Sequence, residues 1–206
     1  MELYDKPECP FCWRVRMALW LQGRDCRHHP HDDPEAQAER DRLSPHGTVP
    51  VLVDGDLVLT DSRVILEYLA DTGAGLLPEA AGDRARVRTR WDYVDGVLGK
   101  AIREVVFEKR DRPKAEWDRA RIDAGIEGWH RGLPSVEAEL DADGHFPEGD
   151  SVADLALLTR CGLAAAYGVD LPPELPRLRR WYERWKPSPV FRDTAPPRVR
   201  QIPPRP

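Results

Sequence analysis

Residues 1–19 read Met1-Glu2-Leu3-Tyr4-Asp5-Lys6-Pro7-Glu8-Cys9-Pro10-Phe11-Cys12-Trp13-Arg14-Val15-Arg16-Met17-Ala18-Leu19, and the reading of the fold turns on them. Leu3-Tyr4 opens as a strand, and Trp13 to Gln22 follows with helical character. Pro10 suits a first helical position, where no amide hydrogen needs a partner. Cys9 then stands at the N-cap, where unpaired amides and the helix dipole favour an anion and lower a thiol's pKa. Cys12 lies a turn further in and is expected to be less exposed. Lys6, Arg14 and Arg16 add positive charge nearby. The pattern makes Cys9 the candidate nucleophile and Cys12 a candidate resolving thiol. Without that context the pair reads as half of a zinc site or as two ordinary thiols. A zinc site needs two further ligands, and His28, His29 and His31 have an unusual spacing for one and read as a solvated loop. No metal is expected. Cys26 and Cys161 sit in apolar contexts and read as packing residues.

Working outward, short apolar runs alternate with helical stretches up to Leu77: Val49 to Val53, Leu57 to Thr60, then Val64 to Asp71. Asp54-Gly55-Asp56 between two such runs is a hairpin signal, because a tight turn needs positive φ. From Asp83 onward the apolar residues Val87, Trp91, Val94, Val97, Leu98, Ile102, Val105 and Val106 fall at helical spacing, with almost no strand-like alternation. The expected organisation is a mixed α/β domain over residues 1–75, a linker rich in glycine, and an all-helical domain over residues 83–193. Pro113 is compatible with the first turn of a helix running to about Asp141, Ser151-Val152-Ala153-Asp154 opens another, and a last one covers Pro176 to Lys186. The tail 194–206, five of whose residues are Pro, reads as extended and poorly ordered.

A second cluster of signals lies downstream of the cysteines. In Thr48-Val49-Pro50-Val51-Leu52-Val53 a proline stands where a buried strand begins and removes a ladder donor. A cis Val49-Pro50 bond accounts for it and leaves the Val49 backbone free to pair with an extended peptide; a trans proline at a strand start is the plain alternative. Asp61-Ser62 precedes the next helix. Ser62 offers a hydroxyl and helix-start amides to a carboxylate, and Asp61 offers a carboxylate to an ammonium group; simple capping is the plain alternative. With Cys9, these segments describe a pocket for a small thiol peptide.

Composition narrows the class further. The 206 residues carry a formal net charge of -5, and no segment is dominated by Lys or Arg, so no nucleic-acid footprint is visible. There is no run of about 18 apolar residues and no leader-like N-terminus, so no membrane partner and a cytoplasmic chain are expected. Trp91, Tyr93, Val97 and Phe107 are candidates for a second-substrate wall, although their spacing is equally that of a core.

Taken together, these motifs resemble the glutathione transferase superfamily, a thioredoxin-like α/β domain followed by an all-α domain. The resemblance rests on Ser44-Pro45-His46-Gly47-Thr48-Val49-Pro50-Val51-Leu52, on Asp61-Ser62, and on Ser151-Val152-Ala153-Asp154-Leu155-Ala156, in this order and spanning nearly the whole chain. It implies glutathione as co-substrate, with Cys9, Phe11, Val49, Pro50, Asp61 and Ser62 holding it and Ser151 with Asp154 forming a folding cap. It also implies a homodimer. Many members carry Glu or Gln where this chain has Asp61. Cys9-Pro10-Phe11-Cys12 resembles the dithiol motif of glutaredoxins and the cysteine classes, which form a mixed disulfide with glutathione; this makes a thiol transferase the leading expectation. Trp13-Arg14-Val15-Arg16-Met17-Ala18-Leu19 instead resembles the zeta class of isomerases, so conjugation or isomerisation of a small electrophile stays open, as does a non-catalytic binding role. A strong preference for Arg over Lys, a habit of high-GC genomes, keeps mycothiol open as the thiol.

Overall fold

Residues 1–201 are described in the computed structural model. Four short strands, β1 (Glu2–Tyr4), β2 (Arg27–His29), β3 (Val51–Asp54) and β4 (Leu57–Leu59), make one sheet in the order β2-β1-β3-β4. β1 runs parallel to β2 and antiparallel to β3, and β3 runs antiparallel to β4. Asp54 pairs with Leu57 across a two-residue turn in which Gly55 takes φ 59°, the conformation a tight hairpin needs. His28 and His29 are not in a loop: they lie on β2, where His29 stacks on Tyr4 at 4.3 Å and its Nε2 meets Glu2 Oε2 at 2.6 Å. The signal was hidden because an edge strand of Arg and His carries no apolar alternation.

Three helices accompany the sheet: α1 (Pro10–Leu21), α2 (Pro34–Leu43) and α3 (Ser62–Thr72). The polar segment after Gln22 hides α2, which buries only Ala36 and starts from Asp33, whose side chain accepts from the Glu35 amide at 3.1 Å. After β4 every described element is helical, in agreement with the thioredoxin-like plus all-helical expectation. α4 (Ala81–Tyr93) continues through one π-helical turn, Val94–Leu98, into α5 (Gly99–Asp111). α6 spans Arg119–Glu137, α7 Val152–Ala166 and α8 Pro176–Trp185. Pro113 does not begin α6. It precedes a short 3-10 turn, and α6 starts later because the Asp118 side chain accepts from the Arg121 amide at 3.0 Å.

The tail also departs from expectation. α10 (Pro197–Arg200) lies within it and is helical, following α9 (Pro189–Thr194) of the helical domain; each has a proline at its start, a position that suits a residue with no amide hydrogen. Phe191, Ala195 and Val199 are buried there. The rest of the tail, 202–206, lies outside the described residues.

A single apolar cluster joins the sheet side to the helical side, including Leu3, Trp13 and Ile65 with Leu157, Leu158 and Trp181. At its centre α1 lies on α7. Trp13 is fully buried, and a Cβ on Gly162 would stand 2.6 Å from its ring; glycine is what lets the indole lie on the helix backbone. The Trp13 Nε1 donates to Thr194 Oγ1 at 3.0 Å, tying α9 to α1. α7 is buried on all sides from Val152 to Ala164, the pattern of a central helix. No described helix is long and apolar enough to cross a membrane.

The Ser151 cap at the start of α7 forms as expected, with the Ser151 amide donating to Asp154 Oδ2 at 2.9 Å. The same carboxylate does more: Oδ1 accepts from the Trp181 Nε1 at 2.8 Å, fastening α8. Asp154→Ala is therefore expected to cost more than a cap. The lost cap is worth about 1 kcal/mol and the stranded buried donors about 1–3 kcal/mol more, which together lower Tm by about 5–15 °C in a chain of this size. A thermal melt beside Ser151→Ala checks this, and equal losses would mean the Trp181 bond contributes nothing. Burial pushes the Asp154 carboxyl up to about 6. The folded chain thus holds this proton more tightly than the unfolded one, so stability falls as pH rises from 3.8 to about 6. That slope is expected to be reduced in Asp154→Ala.

Candidate active site

Sheet register brings three segments to one end of the molecule. Tyr4 faces Val51 and Leu52 faces Leu59 in antiparallel pairs. The chain leaving β1 toward Cys9, the chain entering β3 through Val49-Pro50, and the chain leaving β4 toward Asp61-Ser62 therefore share that end. The Val49–Pro50 bond is cis, as the sequence reading expects. Pro50 is buried and Val49 half-buried, and the loop before them is held by the Thr48 amide donating to Ser44 Oγ at 3.2 Å.

Cys9 is the N-cap residue of α1 and is half-buried, while Cys12 is buried. The Lys6 amide donates to Cys12 Sγ at 3.4 Å and the Cys9 amide to the Lys6 carbonyl at 3.3 Å, so the loop folds back over the pair. Arg16 locks this loop from below: its Nη1 reaches Asp5 Oδ2 at 2.5 Å, its Nη2 the Pro7 carbonyl at 2.8 Å, and its Nε the Thr194 carbonyl at 3.2 Å. The two sulfurs are driven apart in acidity. A hydrogen bond from the Cys12 thiol, the nearby Cys12 and Phe11 amides and the Arg160 guanidinium outweigh burial and hold Cys9 at about 6. No amide closes a full capping bond on the sulfur, so the amides act through their field. Burial and the neighbouring Cys9 push Cys12 well above the ordinary thiol range. The surroundings thus favour the ionised form of Cys9 and the protonated form of Cys12.

At Asp61 the structure shows the capping that the sequence leaves as the plain alternative. Asp61 is the cap of α3: its Oδ1 accepts from the Arg63 amide at 2.7 Å and the Val64 amide at 3.3 Å. Ser62 is the first helical residue, and its buried hydroxyl accepts from Arg14 Nη2 at 2.7 Å. Arg14 in turn gives Nη1 to Asp95 Oδ2 at 2.6 Å, and Asp95 Oδ1 accepts from Arg160 Nη2 at 3.0 Å. Asp95 sits on the π-helical turn. Phe11, between the two cysteines in sequence, is 38% exposed and carries the Arg14 and Arg160 guanidiniums 4.9 and 4.8 Å from its ring centre.

Sequence reading credited Arg14 with local charge only and overlooked Asp95 and Arg160. A visible signal existed for Arg160, which is the one charged residue in the run Leu155 to Ala166. Of the second-substrate candidates, Trp91 is core, Tyr93 donates its hydroxyl to the Gly132 carbonyl at 2.9 Å, and Val97 and Phe107 are exposed at 43% and 40%. Cys161 is buried and Cys26 half-buried. Among the described residues, no group of three or more His, Cys, Asp or Glu side chains is arranged to hold a metal ion.

Compared with known proteins, residues 3–75 match the family model "Glutathione S-transferase, N-terminal domain". Over 94% of its length the chain is 31% identical to glutathione S-transferase U2 of Arabidopsis thaliana, covering 87% of it. It is 36% identical to a maleylacetoacetate isomerase of Rhizobium meliloti, across 82% of this chain and 84% of that one. Among solved structures, a glutathione S-transferase from Methylobacillus flagellatus with GSH bound superposes with TM-score 0.78 at 30% identity, covering 95% of this chain and 98% of the other.

With Cys9 held at about 6 and Cys12 well above 9.0, the two thiols should alkylate very differently. Iodoacetamide at pH 7 is expected to label Cys9 at nearly its high-pH rate and to leave Cys12 and Cys161 unlabelled in the folded protein. Peptide mapping by mass spectrometry reads both, and labelling of Cys12 first would reverse the assignment of roles.

Proposed function

The chain belongs to the glutathione S-transferase family, and from that premise we propose that it is a glutathione-dependent thiol transferase working through a mixed disulfide at Cys9. The observation that carries this reading is the pairing of a low-pKa sulfur at the start of α1 with a buried, protonated one a turn away. A thiolate at neutral pH attacks disulfide sulfur, and the less basic it is the better it also leaves.

In the proposed cycle the Cys9 thiolate attacks the glutathionyl sulfur of a mixed disulfide. The S–S bond breaks, the released thiolate takes a proton from solvent, and Cys9 carries the glutathionyl group. A second glutathione thiolate then attacks that group's sulfur, leaving oxidised glutathione and restoring the Cys9 thiolate. Cys12 serves as a resolving thiol where the dithiol route operates. Residues 1–75 form the thiol-binding domain in this reading, with residues 83–193 the helical domain and a homodimer the working assembly. Phe11, Val49, Pro50, Asp61 and Ser62 hold the glutathione co-substrate. Asp61 Oδ1 is engaged by helix amides, so an ammonium group would meet its other oxygen.

A second reading rests on a different observation, the 36% identity to a maleylacetoacetate isomerase. Here glutathione or mycothiol would add to a small electrophilic metabolite, either staying as a conjugate or leaving after rotation about a double bond. The exposed Val97 and Phe107 are available to either substrate.

Glutathione-dependent reduction of a small mixed disulfide, run beside conjugation of an electrophilic aromatic substrate, separates the two. Cys9→Ser is expected to take reduction to background, and Cys12→Ser to keep much of it. Absence of reduction in the unmodified protein, with thermal protection by mycothiol rather than glutathione, would move the assignment to another thiol. Ser62→Ala removes a hydrogen bond to a charged partner, and its expected effect is a rise of about tenfold in the apparent KM for glutathione with little change in kcat. An unchanged KM would place the binding site elsewhere.

A further inference from the structure

Arg160 is a buried cation on the central helix, and its surroundings are built around it. Its side chain is 7% exposed. The guanidinium lies against Gly99, where a Cβ would stand 2.9 Å from its Cζ, Nε and Nη2. Asp95 holds Nη2 at 3.0 Å, Phe11 faces Cζ at 4.8 Å, and Nε is buried with no hydrogen-bond partner. A guanidinium removed from water to this degree needs a compensating negative charge.

Asp95 supplies only part of it. The same carboxylate takes Arg14 at 2.6 Å, so the Arg14–Asp95–Arg160 cluster holds two positive charges against one negative. The Arg14 Nε is likewise buried and unpartnered. Of the other acids near Cys9, Asp5 is paired with Arg16, and Glu8 takes the Tyr167 hydroxyl at 2.7 Å and Arg198 at 3.5 Å, while Asp61, exposed at the head of α3, keeps its charge and acts on Arg14 from the solvent side of the buried cluster. Of the groups that favour the ionised Cys9 sulfur, the Cys12 thiol and the α1 amides come first and are uncharged, and Arg160 on α7, packed on Phe11 two residues along, adds a full charge.

We propose that Arg160 is a positioning residue for the nucleophile: Asp95 and Gly99 fix its guanidinium over Phe11, and the charge left over in the cluster is balanced by the ionised sulfur of Cys9. The inference rests on the reading of Cys9 as the nucleophile and adds what holds it ionised. The neutral cluster that remains when Arg160 is removed, Arg14 with Asp95, no longer needs that anion.

The test is the pH profile of Cys9 alkylation by iodoacetamide, read by peptide mapping on the full chain without glutathione. The unmodified protein is expected to show a midpoint near 6; a midpoint in the ordinary thiol range would defeat the nucleophile reading itself. Arg160→Gln keeps an amide donor toward Asp95 and is expected to raise the midpoint measurably, leaving the high-pH rate and near-ultraviolet circular dichroism unchanged. Arg160→Lys is expected to restore most of the shift. Asp95→Asn removes the negative partner and should leave the midpoint unchanged or lower it. A folded Arg160→Gln protein with the original midpoint overturns the proposal, and so do upward shifts in both the Arg160→Gln and Asp95→Asn proteins, which would mark general loosening instead of charge.

Discussion

The seating of α1 on α7 is the contact from which the rest follows. α1 has to present Cys9 at its first turn while its body is buried between a sheet and a helical bundle. A flat indole on a glycine meets that demand, since Trp13 against Gly162 sets both the spacing and the rotation of α1 about its own axis. Rotation matters because α1 carries Arg14 one residue on and Arg16 two residues beyond that. With Trp13 seated, Arg14 is turned to Ser62 and Asp95, and Arg16 to the loop that folds over the cysteines. Packing and electrostatics are thus one arrangement read at two positions of the same helix.

The charge arrangement has a consistent direction. Acids that would oppose a thiolate at Cys9 are each drawn to another partner, and the neighbouring thiol is kept protonated by burial. What remains near the sulfur is a helix start, a hydrogen bond and an excess of guanidinium. Each contribution is modest, and their common sign holds Cys9 at about 6 against the burial that opposes it.

Features with a local cause were legible in the sequence. A proline after a cysteine at the end of a strand, an Asp-Gly between apolar runs, a proline at the head of another run and a serine three residues before an acid each state their geometry within a few positions. They placed α1, the β3–β4 hairpin, Val49-Pro50 and the α7 cap. What stayed hidden lacks such local causes. β2 and α2 bury almost nothing, so neither leaves an apolar period to read. The prolines of the tail announced extended chain, yet Pro197 stands at the head of α10, because the contacts that make this helix worthwhile come from α7. Arg14, Asp95 and Arg160 are separated by 81 and 65 positions, and only the tertiary fold makes them neighbours.

Thr194 illustrates what such long-range closure means for a chain made in one direction. Its hydroxyl receives the Trp13 indole and its carbonyl receives Arg16, so the seat of the reactive helix is finished by a residue synthesised 185 positions after Cys9. At ordinary translation speeds that interval is about 10–40 s. Throughout it, the Cys9-Pro10-Phe11-Cys12 segment exists without the scaffold that later separates the two sulfurs in acidity, as an ordinary dithiol open to whatever oxidants and metals surround the ribosome. Until its last helices close on it, the newborn chain carries that sulfur without the surroundings that set its acidity.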